Sequence, residues 1–172
     1  MGQPLCYTRG MNSRIQRLDS ALLDEVTERA LTSARRRTNH NFHASAADNP
    51  HRFLNALARG TYCPPHRHSS PPKSEAFLVL RGKVALFVFD DTGKVIETHV
   101  LGEGGLLGVD VPAGVWHCIA VLSDTAVCYE VKPGPWDPAS DKQHAAWAPA
   151  EGDPTVDAYL NSLLSELQTD PA

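Results

Sequence analysis

The chain has 172 residues, 42% hydrophobic and 21% charged, a composition that fits one globular domain with a sizeable core. A domain of this size buries about 70% of the surface its unfolded chain exposes, so no disulfide framework is needed and the four cysteines can stay free. Sixteen Lys and Arg against twenty Asp and Glu give a net charge of −4, and the only dense basic run is Arg35-Arg36-Arg37, which argues against nucleic acid as a partner.

Residues 1–18 show no clear period and read as a loose extension, with Met11 an alternative start. Residues 1–10 hold no apolar segment of the secretory type. A reducing cytoplasm is therefore the expected compartment, with Cys6, Cys63, Cys118 and Cys128 as thiols. From Asp19, Leu22, Leu23, Val26 and Ala30 recur at helical spacing behind an Asp19 or Ser20 cap, and Arg35–Arg37 suit a helix C-terminus; the spacing predicts a helix over about 20–36. Residues 19–50 thus form a helix and a lead-in loop.

The period then changes. Phe53–Ala58, Glu75–Arg81, Lys83–Phe89, Lys94–Leu101, Leu106–Val111, Trp116–Leu122 and Ala126–Val131 read as strands. Turn residues separate them at Arg81-Gly82, Asp90–Gly93, Gly102–Gly105, Pro112–Gly114 and Ser123–Thr125. The apolar stretch from Val100 to Leu122 is cut by Glu103, Asp110, Pro112 and His117, so no membrane span is expected. Many short strands without intervening helices indicate a mainly β domain over 51–135, an antiparallel barrel or two-sheet jelly roll. Residues 136–172 read as a proline-rich wrapping segment, held on the barrel by Trp136 and Trp147, and then a helix. That helix is capped near Asp153-Pro154, with Val156, Tyr159, Leu160, Leu163, Leu164 and Leu167 on one face.

The chemistry concentrates in Gly60-Thr-Tyr-Cys-Pro-Pro-His66-Arg-His68, Glu75 and Pro112-Ala-Gly-Val-Trp-His117. His66 and His68 share one side of an extended chain, because side chains alternate with a period of two. Glu75 shares a strand face with Phe77 and Val79, and His117 with Ile119 and Val121, so both point inward. An inward carboxylate among apolar neighbours calls for a cation; the alternative for Glu75 is a salt bridge to Arg67 or Lys73. Three imidazoles and a carboxylate suit one divalent ion per chain, Fe, Mn, Zn or Ni, without choosing among them.

These residues resemble the two cupin motifs. Gly60, His66, His68, Glu75 and Gly82 reproduce the first motif's flanking counts, and Pro112, Gly114 and His117 reproduce the second. The six-residue gap between His68 and Glu75 is longer than the usual three or four, and Val121 stands where an asparagine often follows. More of the chain is similar to the WbuC family of cupin-fold metalloproteins. The likeness runs through Arg37-Thr-Asn-His-Asn41-Phe-His43, Pro65–His68, Phe87–Gly93, Glu130–Pro135 and Trp147–Gly152. It implies a cupin-type double-stranded jelly roll with flanking N- and C-terminal helices, a bound metal, and encoding near bacterial surface-polysaccharide genes.

The expected ligand is a small polar molecule, a sugar derivative on this resemblance. Asn41, Tyr62 and Lys132 are candidates to contact it, although the first reading of Glu130 and Lys132 has both facing solvent while Val127, Tyr129 and Val131 fill the barrel. With the metal as Lewis acid, isomerisation or epimerisation would need a base, and His43 is the candidate. The alternatives are an Fe(II)-dependent dioxygenase and a non-catalytic ligand-binding module. His40, His51, His99 and His144 read as surface residues, and open sheet edges are compatible with a homodimer.

Overall fold

The structure is a computed structural model and describes residues 15–167. Of the expected extension at 1–18, residues 1–14, with Cys6 and Met11, lie outside the described residues, and residues 15–18 are exposed and belong to no helix or strand. In chain order the elements are α1 (Ser20–Thr32), β1 (Arg37–Asn41), β2 (His51–Ala58), β3 (His66–Arg67), β4 (Glu75–Arg81), β5 (Lys83–Phe89), β6 (Val95–Gly102), β7 (Gly108–Val111), β8 (Trp116–Val121), β9 (Thr125–Lys132), β10 (Gln143–His144) and α2 (Val156–Glu166). The strands form two five-stranded antiparallel sheets, ordered β1-β2-β9-β4-β7 and β10-β3-β8-β5-β6. This is the mainly β, two-sheet antiparallel jelly roll expected from the sequence, with a helix at each end of the described chain.

Three apolar layers hold it together. Between the sheets lie Leu57, Phe77, Val84, Leu86, Leu101, Val121, Ala126 and Cys128. The outer face of the first sheet, Leu54, Ala56 and Val127, is covered by Leu22, Val26 and Ala30 of α1. The outer face of the second, Phe87, Phe89, Trp116 and Cys118, is covered by Ala145, Trp147 and Leu163. Apolar residues therefore occupy both faces of β2, β5, β8 and β9, and the clean alternation of a half-exposed strand is lost. No helix among the described residues is long and apolar enough to cross a membrane.

Asp19 caps α1, its carboxylate accepting from the Leu22 N–H at 3.0 Å. The helix ends at Thr32, four residues short of the predicted 36. Ser33 turns extended (φ −72°, ψ 137°), and its N–H closes onto the carbonyls of Arg29 and Ala30. The arginines serve elsewhere: Arg36 adopts φ 54° and Arg37 opens β1, while Arg35 and Arg37 both hold Glu151 of the wrapping segment at 2.6–2.8 Å. The predicted lead-in loop thus contains a strand, β1, paired along β2 from Arg37↔Leu57 to Asn41↔Phe53. Trp147 packs against Phe89 and Trp116 as expected. Trp136 instead remains 45% exposed, because its segment runs over the open end of the barrel.

Candidate metal centre

β3 lies beside β8, with His66 directly opposite His117, so two imidazoles distant in sequence meet across one strand pair. His68 follows two residues on, its backbone carbonyl accepting from the Gly114 N–H at 3.0 Å and tying it to the turn that launches β8. Glu75 opens β4 in the opposite sheet and faces inward beside Phe77. All four side chains are buried, and one ligand atom from each lies within 4.8 Å of those of the others. The six-residue gap before Glu75 closes as a turn with Ser69 bridged to Pro72, and it delivers Lys73 to a buried site. Glu75 bridges to neither Arg67 nor Lys73: Arg67 pairs with Asp91 and stacks on Trp116, and Lys73 pairs with Asp141.

The ring nitrogens fall into two sets. Nδ1 of His66 meets the Pro64 carbonyl at 2.9 Å, Nδ1 of His117 meets the Val115 carbonyl at 2.9 Å, and Nδ1 of His68 meets the Asp141 carbonyl. A carbonyl only accepts, so each Nδ1 carries the hydrogen and, in the neutral ring, each Nε2 is left as a lone pair. His66 Nε2 and His68 Nε2 are buried without a hydrogen-bond partner among the described residues. His117 Nε2 lies 2.5 Å from Glu75 Oε1, and His68 Nε2 lies 3.4 Å from the same oxygen.

Lone pairs converging on a carboxylate repel one another unless a cation, or a proton on one imidazole, lies among them. The donor set therefore fits a divalent metal held by His66, His68, His117 and Glu75. Burial, with Lys142 and His117 nearby, holds His66 well below the ordinary imidazole range, so it is neutral as a ligand must be. Burial alone would push Glu75 up, but the imidazoles of His117, His68 and His66 gathered around it favour the charged carboxylate and hold it well below the usual range.

Beside this cluster opens a cavity of about 580 Å³ whose lining includes Arg37, Asn39, Asn55, Glu130, Lys142 and His144. A second, of about 420 Å³, shares Asn39, Phe53 and Trp136 with it. Asn41 and His43 line the second; Asn41 ends the first strand rather than preceding it. His43 stacks on His51 at 4.0 Å, with Nδ1 against the Arg52 backbone, and does not join the four ligands. Tyr62 donates its hydroxyl to the Pro149 carbonyl at 2.9 Å and packs edge-on to Tyr159, so it fastens the wrapping segment and lines neither cavity.

Lys132 and Glu130 do not face solvent. The inward set of β9 is Ala126, Cys128, Glu130 and Lys132, while Val127 and Tyr129 pack under α1. With apolar residues at both parities, composition could not orient the strand. His51, read as a surface residue, is 4% exposed and sits against the Ala46 carbonyl. Sequence reasoning also missed Asn55, whose polarity inside an apolar strand was the available signal; His144, read as a surface residue, is exposed, with its ring centroid 6.1 Å from that of His66. Sequence reasoning missed Asp141 too, for which a proline-rich segment offered no signal.

A family model described as a domain of unknown function (DUF6016) matches residues 18–101. The search of curated proteins gave no match. Among solved structures, the chain is similar to the capsular polysaccharide assembling protein CapF from Staphylococcus aureus. Identity is 25% and the TM-score 0.53, over 62% of this chain and 28% of that one. A second crystal form of CapF gives 24% and 0.55, over 66% and 32%. The chain thus spans about a third of the length of CapF. An RmlC-like cupin family protein with a double-stranded β-helix fold, from Methanocaldococcus jannaschii, is 23% identical over 60% of this chain and 86% of that one, with a TM-score of 0.45.

Proposed function

We propose that this chain is a mononuclear metal-binding cupin of the WbuC kind that binds and isomerises or epimerises a small polyhydroxylated molecule, a sugar derivative of surface-polysaccharide synthesis. The observation that carries the reading is the convergence of three Nε2 lone pairs and a buried carboxylate beside a polar cavity. The likeness to CapF, a capsular polysaccharide assembling protein, supports the substrate class. When bound, a divalent ion in this ligand set supplies Lewis acidity toward a carbonyl or hydroxyl oxygen.

The chain's own residues supply the rest. Asn55 donates Nδ2–H to Glu130 at 2.7 Å, and its Oδ1 is left buried without a partner among the described residues, ready to accept from a ligand hydroxyl. Burial, reinforced by the charge of Glu75, pushes the Glu130 carboxyl above the usual range, which suits it to exchange a proton nearer neutral pH. Glu130 lines the larger cavity and is the better-placed proton carrier; His43, the candidate base from the sequence, lines the adjoining one.

The test is metal content by elemental mass spectrometry on untagged protein, wild type against His66→Ala plus His117→Ala. Near-stoichiometric metal in the wild type and its loss in the double variant are the expected result; a wild type that neither holds metal nor can be reconstituted overturns the reading. Turnover of candidate sugars without oxygen separates isomerisation from dioxygenation. Binding without product would leave a ligand-binding module.

A further inference from the structure

Asp141 lies between two buried lysines, its carboxylate 2.9 Å from Lys73 Nζ and 2.7 Å from Lys132 Nζ. The three side chains are 2%, 3% and 7% exposed for Asp141, Lys73 and Lys132. An ammonium has three N–H donors. Lys73 spends a second on the Pro135 carbonyl at 2.6 Å, whereas Asp141 is the one hydrogen-bond partner of Lys132 among the described residues. One carboxylate against two ammoniums leaves a positive charge in excess, in surroundings that strongly disfavour an unpaired ion.

Lys132 lines the 420 Å³ cavity together with Asn39, Asn41, His43, His51 and Trp136, and no carboxylate lines it. Two nearby acids are engaged elsewhere. Asp48 accepts from the Ala44 N–H and the Ser45 hydroxyl, and Glu130, on the same face of β9 and within electrostatic reach of Lys132, accepts from Asn55 in the neighbouring cavity, where burial and the charge of Glu75 favour its neutral form.

We infer that this cavity is an oxyanion subsite, in which a carboxylate or phosphate group of a small ligand seats on Lys132 Nζ, with the side-chain amides of Asn39 and Asn41 as further donors. The oxyanion supplies the missing negative charge and the missing acceptors together. Only the joining of this subsite to catalysis rests on the metal reading above. The two cavities share Asn39, Phe53 and Trp136, so one ligand can lay its polyol body in the larger and its anionic group in the smaller.

The test is calorimetric titration of the full chain with inorganic phosphate and with acetate, on wild type, Lys132→Met, His43→Asp, and the His66→Ala plus His117→Ala variant. Wild type and the histidine double variant should bind alike, and Lys132→Met and His43→Asp at least about ten-fold more weakly. Lys132→Met leaves Lys73 and Asp141 paired one to one. His43→Asp places a repelling charge at a half-buried position, and so decides the matter should the first variant fail to fold. Tighter binding of phosphate marks a phosphorylated ligand and tighter binding of acetate a carboxylate. No binding of either anion by wild type, or binding that survives both substitutions, overturns the subsite. Binding lost in the histidine double variant alone also overturns it, assigning the anion to the metal centre and leaving that reading intact. A wild type without metal that still binds the anion through Lys132 overturns the metal reading and keeps the subsite.

Discussion

The three histidines obtain their Nδ1 acceptors in two ways. His66 and His117 use the carbonyl two residues earlier in the chain, a local arrangement that neighbouring side-chain substitutions leave in place. His68 depends on the carbonyl of Asp141, supplied from far along the sequence. Glu75 is the only charged member of the set, so Glu75→Gln should preserve the fold and weaken metal retention by at least the 10–100-fold seen for loss of a supporting hydrogen bond, measured by chelator competition. His51 titrates against burial, which, with the nearby positive charges of His43, Lys132 and Lys73, holds it below its ordinary value of 6.5. Folded His51 stays neutral where the unfolded chain takes a proton. Its contribution is therefore present above about pH 6.5 and lost as pH falls toward the folded value. His51→Gln should flatten the fall in melting temperature across that window. The cluster was legible because the His66-x-His68 spacing puts both rings on one side of an extended segment, and Glu75 and His117 stand on strands whose apolar neighbours fix their direction. Asn55 was not, and Glu130 and Lys132 could be named but not oriented, because the strands bearing them are apolar on both faces.

At the scale of elements, strand bounds followed the alternation closely: β4 and β5 span the predicted residues, and β8 and β9 differ by a residue at one or both ends. The misreadings lie where a long-range partner overrode a local preference, as when Glu151 drew Arg35 and Arg37 away from the end of α1. β3 and β10, two residues each, are too short for any period to show. The turn glycines divide in the same manner. Gly82 and Gly114 both adopt left-handed backbone, at φ +75° and +82°, but a Cβ on Gly82 would lie 2.2 Å from the Thr125 carbonyl oxygen, whereas one on Gly114 would meet nothing within 4 Å. Gly114→Ala should cost about 1 kcal/mol of backbone strain. Gly82→Ala should cost clearly more, since β4, β5 and the start of β9 must separate; denaturant unfolding of the two variants compares them directly.

Across the whole molecule, the segment after β9 closes the second sheet's outer layer and reaches the interior at Asp141. Asp141→Ala leaves two buried ammoniums facing each other, for which a loss of about 3–5 kcal/mol is expected in denaturant unfolding, while the backbone carbonyl that receives His68 Nδ1–H stays in the chain. Lys132→Met, which removes the surplus charge instead, should unfold at nearly the wild-type midpoint. The same segment imposes an order of events on biosynthesis. A nascent chain completed only through Lys132 already contains His66, His68, Glu75 and His117, yet His68 lacks its acceptor, the two lysines lack their shared carboxylate, and β3 lacks its edge partner β10. The cluster therefore gains its full surroundings only once residues 141–144 have joined the fold, after all four of its own members have been made.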